Sequence, residues 1–136
     1  MTESFSLVPI GMVHRQGAQT WIDIAPAFSE GMLGLDGFSH IHVLYWFHEN
    51  DTASQRAVLQ VHPRKDANNP LTGVFATHSP LRPNLVALTL CRILQVSGTR
   101  ITVSDLDARD GSPVIDIKCY IPYSVPPEDV TVPPWV

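Results

Sequence analysis

Charge is scarce in this chain: Lys, Arg, Asp and Glu together make up 16% of 136 residues. The basic sign is the scarcer, nine residues against 13 acidic, and the formal net charge is −4. That balance excludes a protein that coats nucleic acid through a continuous basic surface, though not a local basic pocket. Cysteine is scarcer still, with only Cys91 and Cys119. Two cysteines so far apart give no zinc-ligand spacing and at most one disulfide. Both lie in apolar stretches, so two buried free thiols in a cytoplasmic protein are expected. No apolar run approaches the roughly 20 residues that span a bilayer. Residues 1–10 carry Glu3 and no basic residue, unlike a secretory signal. Glycine-rich phosphate loops, a G-x-S-x-G elbow and an H-E-x-x-H pair are all missing. The usual Rossmann route to a nucleotide cofactor is thereby excluded.

Proline, by contrast, is abundant, with 12 residues. It fits neither helix interiors nor central strand positions. This argues against a helical bundle and for short strands joined by rigid loops. Strands are expected at 6–14, 21–24, 38–48, 57–61, 73–77, 85–96, 100–106 and 114–120. Residues 15–19 form a tight connection between the first two. Residues 26–35 are expected to hold one or two short helical turns. The strongest strand is FSHIHVLYWFH at 38–48. Period two divides it into a core face of Ile41, Val43, Tyr45 and Phe47 and a face of His40, His42, Leu44, Trp46 and His48. The sum is an all-β chain of seven or eight short strands, closed into a small β-barrel that leaves no exposed edge. The barrel domain is expected over 1–123. A proline-rich tail at 124–136 should be extended and pack over the body or a partner chain.

Three constellations carry chemistry. The histidine row at 40, 42 and 48 has no Cys or acid at ligand spacing, so no metal site is expected. In GVFATHSPLRPN (73–84), prolines 80 and 83 flank Arg82 and fix the root of its side chain. A guanidinium so held suits a carboxylate or phosphate, or else it is the solvated corner of a barrel. The third constellation is aspartates 105, 107, 110 and 116. Asp110 before Gly111 reads as a turn, and Asp116 shares a strand face with Lys118, where the two would pair.

Three segments in order, GFSHIHVLYWFHEN (37–50), GVFATHSPLRPNLVALT (73–89) and DARDGSPVIDIKCYIPY (107–123), resemble the motifs of the TrmO family, also called TsaA-like or YaeB-like. Pro9-Ile10-Gly11 fits as well. The resemblance implies a small barrel that binds S-adenosylmethionine without a Rossmann fold. It further implies a homodimer with the cofactor near the subunit interface, and N6-methylation of N6-threonylcarbamoyladenosine beside the tRNA anticodon. Carried over residue by residue, it implies cofactor contacts at His48, Glu49, His78, Leu88, Leu106, Asp107, Ala108, Arg109 and Asp110. Backbone groups of 106–109 would take the adenine edge or the methionine end, Asp107 or Glu49 a ribose hydroxyl or amino group, and Leu88 the adenine face. The nitrogen acceptor must lose a proton, and His48, His78 and Asp116 are the candidate bases. Arg82, Asn84 and Lys118 would serve substrate or structure.

The chain also departs from the family pattern. His78 stands where the family has Arg, exchanging a permanent cation for a titratable group. Cys119 stands where it has Pro. The 15–19 connection is too short for the family's Pro-Arg-Gln segment, which Arg15-Gln16 replace at most in part. No additional C-terminal domain, as carried by some bacterial members, is expected after Tyr123. These departures and the acidic charge leave two alternatives to a tRNA methyltransferase: a methyltransferase of a small-molecule acceptor, and a non-catalytic S-adenosylmethionine-binding module.

Overall fold

The computed structural model describes residues 3–122 and 127–136. Its strands are β1 (Gly11–Gln16), β2 (Gln19–Ile24), β3 (His40–Trp46), β4 (Gln60–Val61), β5 (Thr72–Gly73), β6 (Val86–Ser97), β7 (Arg100–Ser104) and β8 (Pro113–Cys119). The chain divides into two compact units, 1–48 with 86–120, and 49–85 with 121–136.

The first unit is the closed barrel that period-two patterning predicts, with strand order β1-β2-β7-β6-β3-β8 and antiparallel pairing throughout. Six of the eight strands build it. Along β3 every second residue, Ile41, Val43 and Tyr45, is buried. Val13, Ile22, Ile101 and Val114 meet them from the other strands. Each such side chain contributes about 1.5–3 kcal/mol by leaving water. The barrel closes where Gly11 faces Val114 and Met12 faces Pro113. Pro113 is tolerated because it is the first residue of its strand. Gly11 is required by contact: a Cβ there would lie 2.4 Å from the Asp23 carbonyl oxygen.

Several boundaries differ from expectation. The first strand begins at Gly11 rather than at residue 6. The 15–19 connection shrinks to Gly17-Ala18, because Arg15 and Gln16 continue β1 in register with Thr20 and Gln19. Residues 26–35 form a 3-10 turn at Pro26–Met32 without reaching helix length. Cys91 is buried as expected, but Cys119 is only partly covered. It lies at the end of β8, beside a surface groove lined by Phe28, Met32 and Leu35.

The second unit is mostly loop. Residues 57–61 and 73–77 are not full strands, and β4 and β5 pair over two residues each. After Gly73 the chain coils into a 3-10 turn at Val74–Ala76. The Thr77 amide and hydroxyl both donate to the Val74 carbonyl, at 3.1 and 2.9 Å, and this local bonding replaces a ladder. The polar stretch after β3 holds one helical turn, α1 (Ala53–Arg56), capped by Thr52 Oγ1 accepting the Gln55 amide at 3.2 Å. Part of the expected tail, residues 124–126, lies outside the described residues. The described part, 127–136, has no regular structure and is exposed except at Trp135.

Candidate functional site

Between β7 and β8 the chain leaves the barrel wall over residues 105–112. Left-handed residues bracket this loop, Asp105 at φ 67° and Gly111 at φ 84°. Leu106 and Ala108 point inward and are buried, whereas Asp107, Arg109 and Asp110 are exposed. The anchors come from β1, from β3 and from the loop's own end. Arg15 Nη1 donates to the carbonyls of Leu106 (2.7 Å) and Ala108 (2.9 Å). The Arg15 amide donates to Asp110 Oδ1 at 2.8 Å. The Tyr45 hydroxyl donates to the Asp107 carbonyl and lies 3.0 Å from Thr89 Oγ1. The Ser112 hydroxyl takes the Arg109 carbonyl at 2.7 Å.

The consequence is polar asymmetry. All four carbonyls of 106–109 are held by the protein. Among the described residues, the amides of Leu106, Asp107 and Ala108 donate to no carbonyl or side chain. A row of free N–H groups beside the exposed Asp107 carboxylate is the donor set that a purine edge or a carboxylate requires. The residues therefore fit the cofactor implied by the sequence motifs. Burial raises the Tyr45 hydroxyl pKa above its ordinary 10. The Thr89 hydrogen bond opposes this, and the negative charge of Asp107 adds to it. Tyr45 is therefore a neutral donor under the loop, not a base.

The expected site residues distribute as follows. His48 opens a 3-10 turn after β3 and is half-buried, with its Nε2 3.8 Å from where a Cβ on Gly111 would sit. Its ring thus lies at the end of the 105–112 loop. Leu88, on the outer face of β6, is 64% exposed. Asp116 and Lys118 pair on β8 at 3.4 Å, as their shared face predicts, and Asp116 Oδ1 also accepts the Ile117 amide. Asp116 lines the groove beneath residues 26–38. His40 and His42 are taken up by Tyr120, which stacks on His42 with ring centroids 5.6 Å apart. Among the described residues no group of three or more His, Cys, Asp or Glu is arranged to hold a metal.

Glu49, His78, Arg82 and Asn84 belong to the second unit. There Arg82 Nη1 donates to the carbonyls of Thr77 (3.2 Å) and Ser79 (3.0 Å). Ser79 Oγ accepts the Leu81 amide at 3.1 Å, and Arg56 Nε donates to the Pro83 carbonyl at 2.9 Å. Arg82 thus staples its own proline-bounded loop. Glu49, His78 and Asn84 are exposed.

Sequence reasoning missed Arg15 and Tyr45 as organisers of the loop. The signal was available: Arg15 has the core-facing parity of Val13, and Tyr45 is the one residue of the β3 core face with a polar tip.

The model of the tRNA-methyltransferase O N-terminal domain matches residues 3–124. A probable S-adenosyl-L-methionine-binding protein of Pyrococcus horikoshii is 43% identical over 118 residues, covering 87% of this chain and 84% of that protein. The human tRNA (adenine(37)-N6)-methyltransferase is 43% identical over 102 residues, 75% of this chain but 22% of the human protein. The crystal structure of TrmO from Pseudomonas aeruginosa superposes with a TM-score of 0.71 at 27% identity, covering 95% of this chain and 61% of that one. With the match running through the barrel, the 105–112 loop and the proline-bounded segment alike, the chain belongs to the TrmO family.

Proposed function

We propose that this chain is an S-adenosylmethionine-dependent methyltransferase that N-methylates an adenosine of tRNA, the N6-threonylcarbamoyl form being the leading acceptor. The observation that carries the reading is the 105–112 loop, whose carbonyls are tied inward and whose amides at 106–108 are free. The family match and the activity named for the human relative support the same reading. When bound, the cofactor supplies an electrophilic methyl group on a sulfonium. The chain's own task is positioning, since in-line displacement depends on holding two reactants in near-attack geometry. The 106–108 amides and the Asp107 carboxylate hold the polar edges of the cofactor, and exposed Leu88 covers an apolar face. His48, at the end of the loop, accepts the proton that the acceptor nitrogen loses. Arg109 and Asp110 complete the cofactor contacts of the loop, and Lys118 supports the acceptor or the fold.

The protein acts in the cytoplasm as a homodimer. Among the described residues no helix is long and apolar enough to cross a membrane. Leu88, Leu90 and Leu94 expose 64%, 44% and 58% of their surface on β6, an apolar stripe suited to a second subunit.

Calorimetric titration with S-adenosylmethionine, followed by mass analysis of nucleosides from incubated tRNA, tests the reading. Saturable binding and a methylated adenosine are expected. No binding at millimolar cofactor contradicts it, and binding without a methylated nucleoside reduces the chain to a cofactor-binding module. Sedimentation at micromolar concentration should give twice the 15.0 kDa chain mass.

A further inference from the structure

Six of the nine cations of this acidic chain are engaged among the described residues: Arg15, Arg56, Arg82, Arg100, Arg109 and Lys118. Among the described residues, Arg64, Lys65 and Arg92 have no partner. Two of these three are adjacent, in the loop HPRKDANN at 62–69. Both are exposed.

Their backbone is unusual. Arg64 has φ 59° and ψ 21°, and Lys65 has φ 57°. Two successive left-handed residues, with the Asp66 amide donating to the Pro63 carbonyl at 3.2 Å, make a type I′ turn. Such turns favour Asn-Gly, because left-handed backbone strains long side chains. The loop is held around this turn by its own hydrogen bonds. Asn69 Nδ2 donates to the Pro63 carbonyl at 2.9 Å, and the Asn69 carbonyl lies 2.8 Å from His62 Nδ1. The one acid within the turn, Asp66, is occupied in accepting the Asn68 amide at 2.9 Å. A preorganised loop thus carries two adjacent cations without ion pairs on a strained tip, while Arg15, Arg56, Arg82, Arg100 and Lys118 are tied to carbonyls or carboxylates of the fold.

We propose that the Arg64-Lys65 turn is a phosphate-backbone contact for the RNA substrate. This rests on the tRNA reading above. The turn supplies affinity without sequence information, as contacts to phosphate do. It also gives an acidic chain a local foothold for a polyanion: two of its three unpaired cations are gathered at one tip.

The test compares the whole chain with the double variant Arg64→Asn/Lys65→Gly, which retains the turn in its preferred residues. Binding to bulk tRNA is measured from 50 to 200 mM salt, and binding to S-adenosylmethionine alongside. The variant should fold with unchanged or higher thermal stability and bind the cofactor normally. Its RNA affinity should fall about tenfold near 0.1 M salt, and its salt slope by roughly 1.5–2, since each lost phosphate contact removes about one unit. Arg92→Ala, which removes the third unpaired cation, should change RNA affinity by less than about twofold. An unchanged slope in the double variant, or an equal loss in Arg92→Ala, overturns the assignment and leaves the tRNA reading standing. A wild-type chain that neither binds nor methylates tRNA overturns the tRNA reading itself, and the contact with it.

Discussion

Arg15 joins segments that lie far apart in sequence. Its guanidinium spans the carbonyls of Leu106 and Ala108, 91 and 93 residues away. Charged hydrogen bonds of this kind contribute about 1.5–3 kcal/mol each. Arg15→Ala frees those carbonyls and lets the loop turn its amides away. Calorimetry should then give an S-adenosylmethionine affinity about tenfold weaker, with Arg15→Lys recovering part of the loss. Retention of full affinity would separate the loop from the cofactor. At the same scale, the two thiols should behave differently. Burial, with the Asp105 charge adding, pushes the Cys91 thiol up to about 12, from 9.0 when exposed. A pKa raised on folding stabilises the native state fully below pH 9. That stability is lost as pH climbs from 9 toward 12, because only the unfolded chain then releases the proton readily. A thiol reagent at pH 8 should therefore label Cys119 alone in the native protein and both cysteines in denaturant. Rapid native labelling of Cys91 would contradict its place in the core.

The strands with period-two patterning were legible from sequence because one face had to leave water. β3, β7 and β8 fall within two residues or so of their expected bounds, and β6 within one. The loop-rich unit was less legible. GVFAT at 73–77 has strand composition, but Thr77 satisfies the Val74 carbonyl locally and the segment coils. Composition cannot reveal that competition. Nor could pattern reveal that Arg15 continues β1 rather than starting a connection, since a two-residue turn at Gly17-Ala18 suffices. Close approach within one hairpin gives the sharpest prediction at this scale. Gly11→Ala drives a Cβ into the Asp23 carbonyl oxygen, which is backbone and must shift. A cost of about 1–3 kcal/mol is expected, read as a lower denaturant midpoint with an unchanged slope. Gly37→Ala, where no atom lies within 4 Å of the added carbon, should stay within about 0.5 kcal/mol of wild type.

For the whole molecule, the candidate site was legible mainly through motif resemblance. Residues 106–110 and His48 do come together at one end of the barrel, whereas Asp116 lies along the groove beneath residues 26–38. What no motif displayed is how the loop is aimed: Arg15, Tyr45 and Ser112 take every carbonyl of 106–109 and leave three amides for a ligand. Charge distribution completes the account. Against a net charge of −4, two of the three cations that lack a partner among the described residues share a single turn, which concentrates positive charge locally. The central claim is that the free amides of Leu106, Asp107 and Ala108 hold the cofactor. Residue-resolved amide hydrogen exchange, with and without saturating S-adenosylmethionine, tests it most directly. These three amides should exchange fast in the free protein and become protected on binding. Cofactor binding that leaves their exchange unchanged would contradict the claim.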